Sequence, residues 1–316
     1  MTRSATVLLA TLVALACLAA FAGPANGQER VEPPLYMPGD ITAAGMGLDP
    51  TTGEVSVGFE INKVLESRRF AADGTRMGGW RMPIQTRVST LAINGRTREL
   101  YEASTVRGAI NITRWHEDGH KLETWDTGFT GFATDIDVDP WGGELLVGHF
   151  QGERLDLITL SRDGALLATW DSGYVDPAAC VTLTTDRRYY VGLEGDEEAV
   201  GRVARYDDLG DRTAEWPVDE RPVALALGPD DVLYVATRTE LSHRGSVLLI
   251  SDLGTVMESW PLGARPVDID VDENGVVQVL LLRSYGRALE VVVLGPDGAL
   301  LRSWMALMSL LIPSVG

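Results

Sequence analysis

The residues of this sequence that could do chemistry are two aspartate pairs, Asp135 with Asp137 and Asp268 with Asp270. One isoleucine separates the members of each pair in an alternating segment typical of a β-strand, so both carboxylates of a pair lie on one face. Carboxylate oxygens are ligands that Ca²⁺ prefers, and several near one point would form a calcium site. The alternative is that each carboxylate accepts hydrogen bonds from the backbone or hydroxyl groups of a neighbouring strand.

A sequence repeat determines where these pairs lie in the fold. A glycine is followed six positions later by a tryptophan at Gly74/Trp80, Gly119/Trp125, Gly164/Trp170, Gly210/Trp216, Gly254/Trp260 and Gly298/Trp304. Successive tryptophans are 45, 45, 46, 44 and 44 residues apart. A tight hairpin needs the left-handed conformation that glycine adopts, and a tryptophan is large enough to fill the space between neighbouring sheets. The spacing therefore indicates six copies of one unit.

Each copy contains four short strands, a pattern that is clearest in residues 135–170. An alternating strand is followed by a Pro-Trp-Gly-Gly turn at 140–143, then by strands at 144–147, 155–160 and 165–170. Four-stranded units of this length, repeated around an axis, form a propeller. We therefore predict an all-β fold, a six-bladed β-propeller of four-stranded antiparallel blades. The predicted propeller covers 41–304, with blades at about 41–80, 81–125, 126–170, 171–216, 217–260 and 261–304.

The ring geometry brings the two aspartate pairs to the same place. Blades three steps apart face each other across the axis of a six-bladed ring, and the pairs hold equivalent positions in the inner strands of blades 3 and 6. If the tunnel holds a metal, we predict Ca²⁺ with Asp135 and Asp268 as ligands and further oxygens from Asp137 and Asp270. Hydrogen bonds to the next blade are the interpretation that the sequence favours. No other cofactor is indicated.

A second candidate site lies on one rim of the ring. Arg221-Pro222 and Arg265-Pro266 occupy the same register, just before an inner strand, and the loops between second and third strands lie on the same rim. The other rim residues of interest are Arg107, His149, Arg154, Arg238, His243, Arg244, Arg283, Tyr285 and Arg287. A positive rim on an acidic protein would receive a small anionic ligand or a protein partner. The alternative is that each arginine pairs with a neighbouring acid.

The histidines and the cysteine give weaker signals. His116 and His120 flank a hairpin glycine on the opposite rim from His149 and His243, and the four do not recur at one register. We therefore predict exposed loop histidines and not a shared metal site. Cys180 aligns with the first aspartate of each pair, and we predict a small core residue there.

Composition and termini indicate an exported protein. The chain carries 27 basic and 45 acidic residues, a net charge of −18, which argues against binding to nucleic acid. Residues 1–27 have the pattern of a secretory signal peptide, and 28–40 form a proline-rich lead-in. An uncleaved anchor and a lipoprotein at Cys17 are the alternatives. Residues 305–316 are an apolar C-terminal tail or a closing strand. We expect a periplasmic or extracellular monomer with no integral membrane span after signal cleavage.

The repeat resembles the NHL-repeat family. The likeness is carried by segments 266–275, 232–236 and 294–298, which follow the family's inner strand, Val-Tyr-Val strand and aspartate-glycine hairpin. It covers about 41–304. NHL-like rings include both binding platforms and enzymes, so the resemblance implies a six-bladed ring and leaves the activity open.

Two functions are consistent with these patterns. The first is an exported binding or scaffold module that holds its ligand with the rim loops of blades 3 to 6. The alternative is a calcium-dependent hydrolase or lactonase of the gluconolactonase-like kind, with its site in the central tunnel. The Glu-Gly-Pro-x-Trp motif usual in that group is missing here, and so are a Gly-x-Ser-x-Gly elbow and a His-Glu-x-x-His motif. The sequence therefore favours the binding module, with a structural role in a larger envelope assembly as a third hypothesis.

Overall fold

The computed structural model describes residues 41–195, 201–239, 244–283 and 287–308. The predicted signal peptide and lead-in, His243, Tyr285 and residues 309–316 lie outside the described residues. Within them, the chain forms 24 β-strands and one 3₁₀ turn at Pro229–Asp231. The same part of the chain contains no helix long and apolar enough to cross a bilayer.

The strands form six four-stranded antiparallel sheets, and each sheet uses four strands that are consecutive in sequence. The first three blades are β1 (Ile41–Leu48), β2 (Val55–Ile61), β3 (Val64–Phe70) and β4 (Arg76–Pro83); β5 (Val88–Ile93), β6 (Leu100–Val106), β7 (Ala109–Trp115) and β8 (Lys121–Thr130); and β9 (Phe132–Val138), β10 (Leu145–Gln151), β11 (Arg154–Leu160) and β12 (Leu166–Asp171). The last three are β13 (Ala178–Leu183), β14 (Tyr189–Leu193), β15 (Gly201–Tyr206) and β16 (Arg212–Val218); β17 (Arg221–Leu227), β18 (Leu233–Arg238), β19 (Gly245–Ile250) and β20 (Val256–Leu262); and β21 (Arg265–Val271), β22 (Val277–Arg283), β23 (Ala288–Leu294) and β24 (Leu300–Met308). The predicted all-β, six-bladed fold is confirmed.

The core is divided among the spaces between blades. Six clusters of buried apolar side chains each draw on two neighbouring blades, and one of them joins blade 6 to blade 1. A four-stranded sheet cannot bury both of its faces alone, so closing the ring is what completes the core.

The repeated glycine and tryptophan meet across these spaces. Each hairpin glycine contacts the tryptophan of the preceding blade: a β-carbon added to Gly254, which has a φ of 82°, would lie 1.8 Å from the Trp216 ring. The same contact joins blade 1 to blade 6, because a β-carbon on Gly74 would lie 2.8 Å from the Trp304 ring. The tryptophans therefore act as plugs between blades, as their spacing predicts.

The ring closes through side chains. Blade 1 contains only β1–β4 and blade 6 only β21–β24, so no strand is exchanged among the described residues. At this interface the buried guanidinium of Arg68 donates to the carbonyl oxygen of Ala306 at 2.6 Å and contacts Glu66 at 2.5 Å. Ala306 and Leu307, near the end of β24, pack in the cluster shared with blade 1. Contacts of this kind replace the chain connection that every other pair of neighbouring blades has.

Candidate functional site

The inner strands of all six blades line one cavity of about 90 Å³. The four aspartates singled out in the sequence, Asp135, Asp137, Asp268 and Asp270, are all among its lining residues. The topology therefore brings both pairs to the central tunnel, where the six inner strands β1, β5, β9, β13, β17 and β21 converge.

The aspartates of blade 3 accept hydrogen bonds from neighbouring blades: Asp135 from blades 2 and 4, and Asp137 from blade 4. Asp135 Oδ2 accepts from the backbone N–H of Val181 at 2.9 Å, and its Oδ1 accepts from the Thr90 hydroxyl at 2.9 Å. Asp137 Oδ2 accepts from the Thr182 hydroxyl at 2.7 Å and from the Leu183 N–H at 3.1 Å. Both side chains thus reach sideways to β13, because the face of the inner strand that carries them packs against the neighbouring blade.

The aspartates of blade 6 make the equivalent bonds across the ring closure. Asp268 Oδ2 accepts from the Met46 N–H at 2.6 Å, and Asp270 Oδ2 accepts from the Leu48 N–H at 2.9 Å. We call Asp268, Asp270 and these two N–H groups of β1 the closure latch. These bonds to a neighbouring strand are the interaction that the sequence analysis gave as the alternative to metal binding.

Burial makes these carboxyl groups weak acids. Loss of hydration raises the pKa of Asp135 to about 7 and that of Asp137 to about 6. Loss of hydration, with the nearby negative charges of Asp135 and Asp137, raises the pKa of Asp268 to about 8. Burial and the charge of Asp268 raise the pKa of Asp270 well above its usual range. The tunnel therefore holds protons at neutral pH.

The tunnel differs from a preformed calcium cage. Calcium takes about six to eight oxygen ligands that converge on one point. Among the residues that the structure describes, no three of the four aspartates bring one oxygen each within 4.8 Å of one another. Most of their oxygens already accept hydrogen bonds from a neighbouring blade. Calcium at Asp135 and Asp268 therefore stays a prediction.

The rim arginines of blades 5 and 6 gather around one acid of blade 4. Arg221 Nη1 lies 3.4 Å from Glu194 Oε2, and Arg238 Nη2 lies 2.5 Å from Glu194 Oε1. No carboxylate of the described residues lies within 4.0 Å of Arg265, and its side chain reaches solvent. We call Glu194, Arg221, Arg238 and Arg265 the mouth cluster, because the arginines stand at the ends of the strands that enter and leave the tunnel wall.

The mouth cluster holds more positive than negative charge within the described residues. Partial loss of hydration and the neighbouring charge of Arg238 lower the pKa of Arg265, while Glu194 acts in the opposite direction. An anion that approaches a cation in this position lowers the free energy of the pair. The remainder of the acidic run that begins at Glu194, residues 196–198, lies outside the described residues.

The other rim residues are paired locally or are exposed. Arg154 Nε donates to Asp156 Oδ1 at 2.7 Å, and Arg283 Nε donates to Glu290 Oε2 at 2.6 Å. These are ion pairs within one blade, as the alternative for the rim predicts. Exposed Arg107 and Arg244 lie on the same rim, and Arg287 donates its backbone N–H to the Arg283 carbonyl at 3.2 Å.

The prediction of an exposed loop histidine is wrong for His149. Its side chain is 2% exposed, and its Nε2 lies 2.7 Å from the Thr130 carbonyl oxygen. The long strand β8 and the turn after it extend over β10, so the imidazole packs against Phe129 with ring centroids 5.4 Å apart. This burial removes His149 from the surface of the mouth.

Glu194 is the mouth residue whose role the sequence reading missed. It lies 44 residues before Arg238, which is the repeat spacing, so both occupy the same register at the end of a second strand. A comparison of charges at equal register would have placed an acid beside the arginines of the next blade.

The comparisons with known proteins agree with this architecture. No protein-family model and no curated protein matches the sequence. Among solved structures, a streptogramin B lyase is 16% identical with a TM-score of 0.57, over 89% of this chain and 86% of that chain. A catalytically inactive virginiamycin B lyase from Staphylococcus aureus with quinupristin is 15% identical with a TM-score of 0.55, over 85% and 86%. A chain of a nidogen/laminin complex is 16% identical with a TM-score of 0.55, over 75% and 86%.

Identities this low show the fold alone. The resemblance to NHL-like six-bladed propellers is confirmed at that level. The matched structures include lyases and a protein complex, so the shared ring does not choose between catalysis and binding. That choice rests on the residues of the site.

Proposed function

We propose that this protein is an exported binding module that holds an anionic ligand at the mouth cluster. The observation that carries the proposal is the position of Arg265, a solvent-reaching cation beside Arg238 with no described carboxylate within 4.0 Å. The whole chain has a net charge of −18, so the excess of positive charge at the mouth cluster is opposite in sign to the charge of the protein as a whole.

The chemistry of the cluster suits a carboxylate, sulfate or phosphate group. Guanidinium groups bind such groups through two parallel hydrogen bonds, and the planar fork of arginine is preorganised for them. Arg238 and Arg265 come from adjacent blades, so one anionic group between them would bridge two blades. Glu194 competes for Arg221 and Arg238, which lowers affinity and restricts binding to ligands with enough charge to displace it. The ligand is therefore a small anion or an acidic segment of a protein partner.

Replacing Arg265 with alanine is expected to weaken binding of citrate, used as a tricarboxylate probe, by about tenfold. A hydrogen bond to a charged group contributes about 1.5–3 kcal/mol, and solvent at the mouth reduces that value. Glu194→Gln is expected to strengthen binding, because it removes the competing carboxylate. Isothermal titration calorimetry at constant ionic strength measures both effects.

The matched control is Arg154→Ala, which removes an arginine from the same face where it is already paired with Asp156. This variant is expected to bind citrate as the unchanged protein does. Equal losses in the two alanine variants, or weaker binding by Glu194→Gln, would contradict a site at the mouth cluster.

A calcium-dependent hydrolase is the second candidate, and the observation in its favour is four half-buried carboxyl groups around one cavity. Because the carboxylates are already bonded to neighbouring blades, we expect a chelator to leave the melting temperature of the protein unchanged. A melting temperature that rises with added calcium, and a rise that is lost in Asp268→Asn, would instead favour the hydrolase.

A further inference from the structure

The hairpin between β7 and β8 places three groups that bind metals on one side of a tight turn. We call residues 116–120 the blade-2 hairpin; their sequence is His-Glu-Asp-Gly-His. The His116 N–H donates to the His120 carbonyl at 3.0 Å, and the Gly119 N–H donates to the His116 carbonyl at 2.9 Å. These two bonds set the first and last residues of the turn opposite each other, so their side chains start from adjacent points.

The two imidazoles converge on one carboxylate. The rings stack with centroids 4.5 Å apart. Asp118 Oδ1 lies 3.1 Å from His116 Nδ1 and 2.5 Å from His120 Nδ1, and the three ligand atoms lie within 4.8 Å of one another. We propose that the blade-2 hairpin binds one divalent transition-metal ion through the Nδ1 atoms of His116 and His120 and the carboxylate of Asp118. This site is separate from the tunnel and from the mouth cluster.

The same turn follows the third strand of every blade, and the blade-2 hairpin differs from the others in its side chains. The residue pairs that close it are Ala71/Thr75, His116/His120, Ser161/Ala165, Asp207/Asp211, Ser251/Thr255 and Gly295/Ala299. The turn itself is thus a property of the repeat, and blade 2 alone among the six carries imidazoles at both closing positions. The fold therefore requires the turn, but it does not require the two histidines at the closing positions.

The surroundings hold the hairpin in place. Gly119 has a φ of 89°, and a β-carbon on it would lie 2.7 Å from the ring of Trp80, so the turn is seated against blade 1. Glu117 is turned toward Arg69 and Arg98, whose Nη1 atoms lie 2.9 and 3.2 Å from its Oε2. Glu117 is therefore occupied by arginines and does not belong to the ligand set. Asp118 Oδ1 also accepts a hydrogen bond from the His120 backbone N–H at 3.1 Å, which holds the carboxylate beside the two imidazoles.

The ligand types select the class of metal. Imidazole nitrogen suits Zn²⁺, Ni²⁺ and Cu²⁺, whereas Ca²⁺ and Mg²⁺ prefer sites made only of oxygen. Metal–ligand bonds of about 2.0–2.1 Å place neighbouring ligand atoms about 3 Å apart, close to the 3.1 and 2.5 Å that separate Asp118 Oδ1 from the two Nδ1 atoms. The metal takes the Nδ1 lone pairs and displaces any proton held there. Three protein ligands leave at least one coordination position open to water or to a group from another molecule.

Titration of the purified, untagged full chain with Zn²⁺ tests the site. We expect one ion per chain, with affinity reduced at least tenfold in His116→Ala and in His120→Ala, and reduced in Asp118→Asn. Glu117→Gln is the matched control in the same turn and is expected to bind as the unchanged chain does. Because both histidines are partly exposed, the metal-free variants are expected to keep the melting temperature of the unchanged chain.

Three results would overturn the proposal: Zn²⁺ affinity unchanged in the variant that lacks both histidines, an equal loss in Glu117→Gln, or Ca²⁺ binding as tightly as Zn²⁺. The ring NMR signals of His116 and His120 give a second readout, since coordination through Nδ1 shifts them while the signals of buried His149 stay in place.

Discussion

Replacing Asp268 and Asp270 together with alanine is expected to open the ring, whereas the same replacement of Asp135 and Asp137 is expected to weaken it without opening it. Each double variant leaves buried backbone N–H groups without an acceptor, at a cost of about 1–3 kcal/mol for each lost bond. Blades 3 and 4 remain tied by the chain between β12 and β13. Blades 6 and 1 have no such tie among the described residues, so the closure latch has no covalent support.

Hydrogen exchange measured by mass spectrometry distinguishes the two outcomes, with urea unfolding to measure total stability. We expect both double variants to lose several kcal/mol of unfolding free energy, of which about 2–6 kcal/mol comes from the two backbone N–H groups that each variant leaves without an acceptor. Fast exchange in β1 and β24 is expected only in the Asp268/Asp270 variant. The comparison should be made near pH 5, where the buried carboxyl groups of the unchanged protein carry protons and no relief of charge offsets the loss. Equal protection of β1 and β24 in both variants would contradict a role for the latch in closure.

The second large effect is a fall in stability as the pH rises from about 5 to 9. The pKa values of Asp135 and Asp268 in the folded protein are about 7 and about 8, against an ordinary value of 3.8. Between those limits the folded state keeps protons that the unfolded chain has released, so raising the pH favours unfolding. The stabilisation is complete below about pH 4 and is lost as the pH passes through the folded-state values. Each such group contributes a slope of up to about 1.4 kcal/mol per pH unit.

Urea unfolding at pH 5, 7 and 9 measures this slope. Asp268→Asn is expected to flatten it, because the amide keeps one acceptor oxygen for the Met46 N–H and does not titrate. Asp163→Asn, an exposed aspartate on the hairpin of blade 3, is the control and is expected to keep the slope of the unchanged protein. Parallel slopes for the unchanged protein and Asp268→Asn would show that the tunnel aspartate at this position is charged throughout.

The blade number and the equivalence of the two aspartate pairs follow from the sequence alone. The reason is that these features are local and repeated: a glycine in a tight hairpin, a tryptophan six residues later and alternating apolar residues act the same way in every copy. A signal repeated six times at nearly constant spacing is strong even where one copy, such as the first inner strand with Gly45 and Gly47, is weak.

The tertiary structure alone decided which partner each side chain meets. The Asp268 carboxylate accepts from the Met46 N–H, which lies 222 positions away in the chain. This bond depends on how blade 1 packs against blade 6, which the sequence pattern around Asp268 does not specify. His149 became a buried residue because β8 extends over it, and His116 and His120 became a ligand pair because one turn sets their rings together. Contacts of this kind depend on distances between blades and on side-chain directions, which a pattern along the chain does not specify.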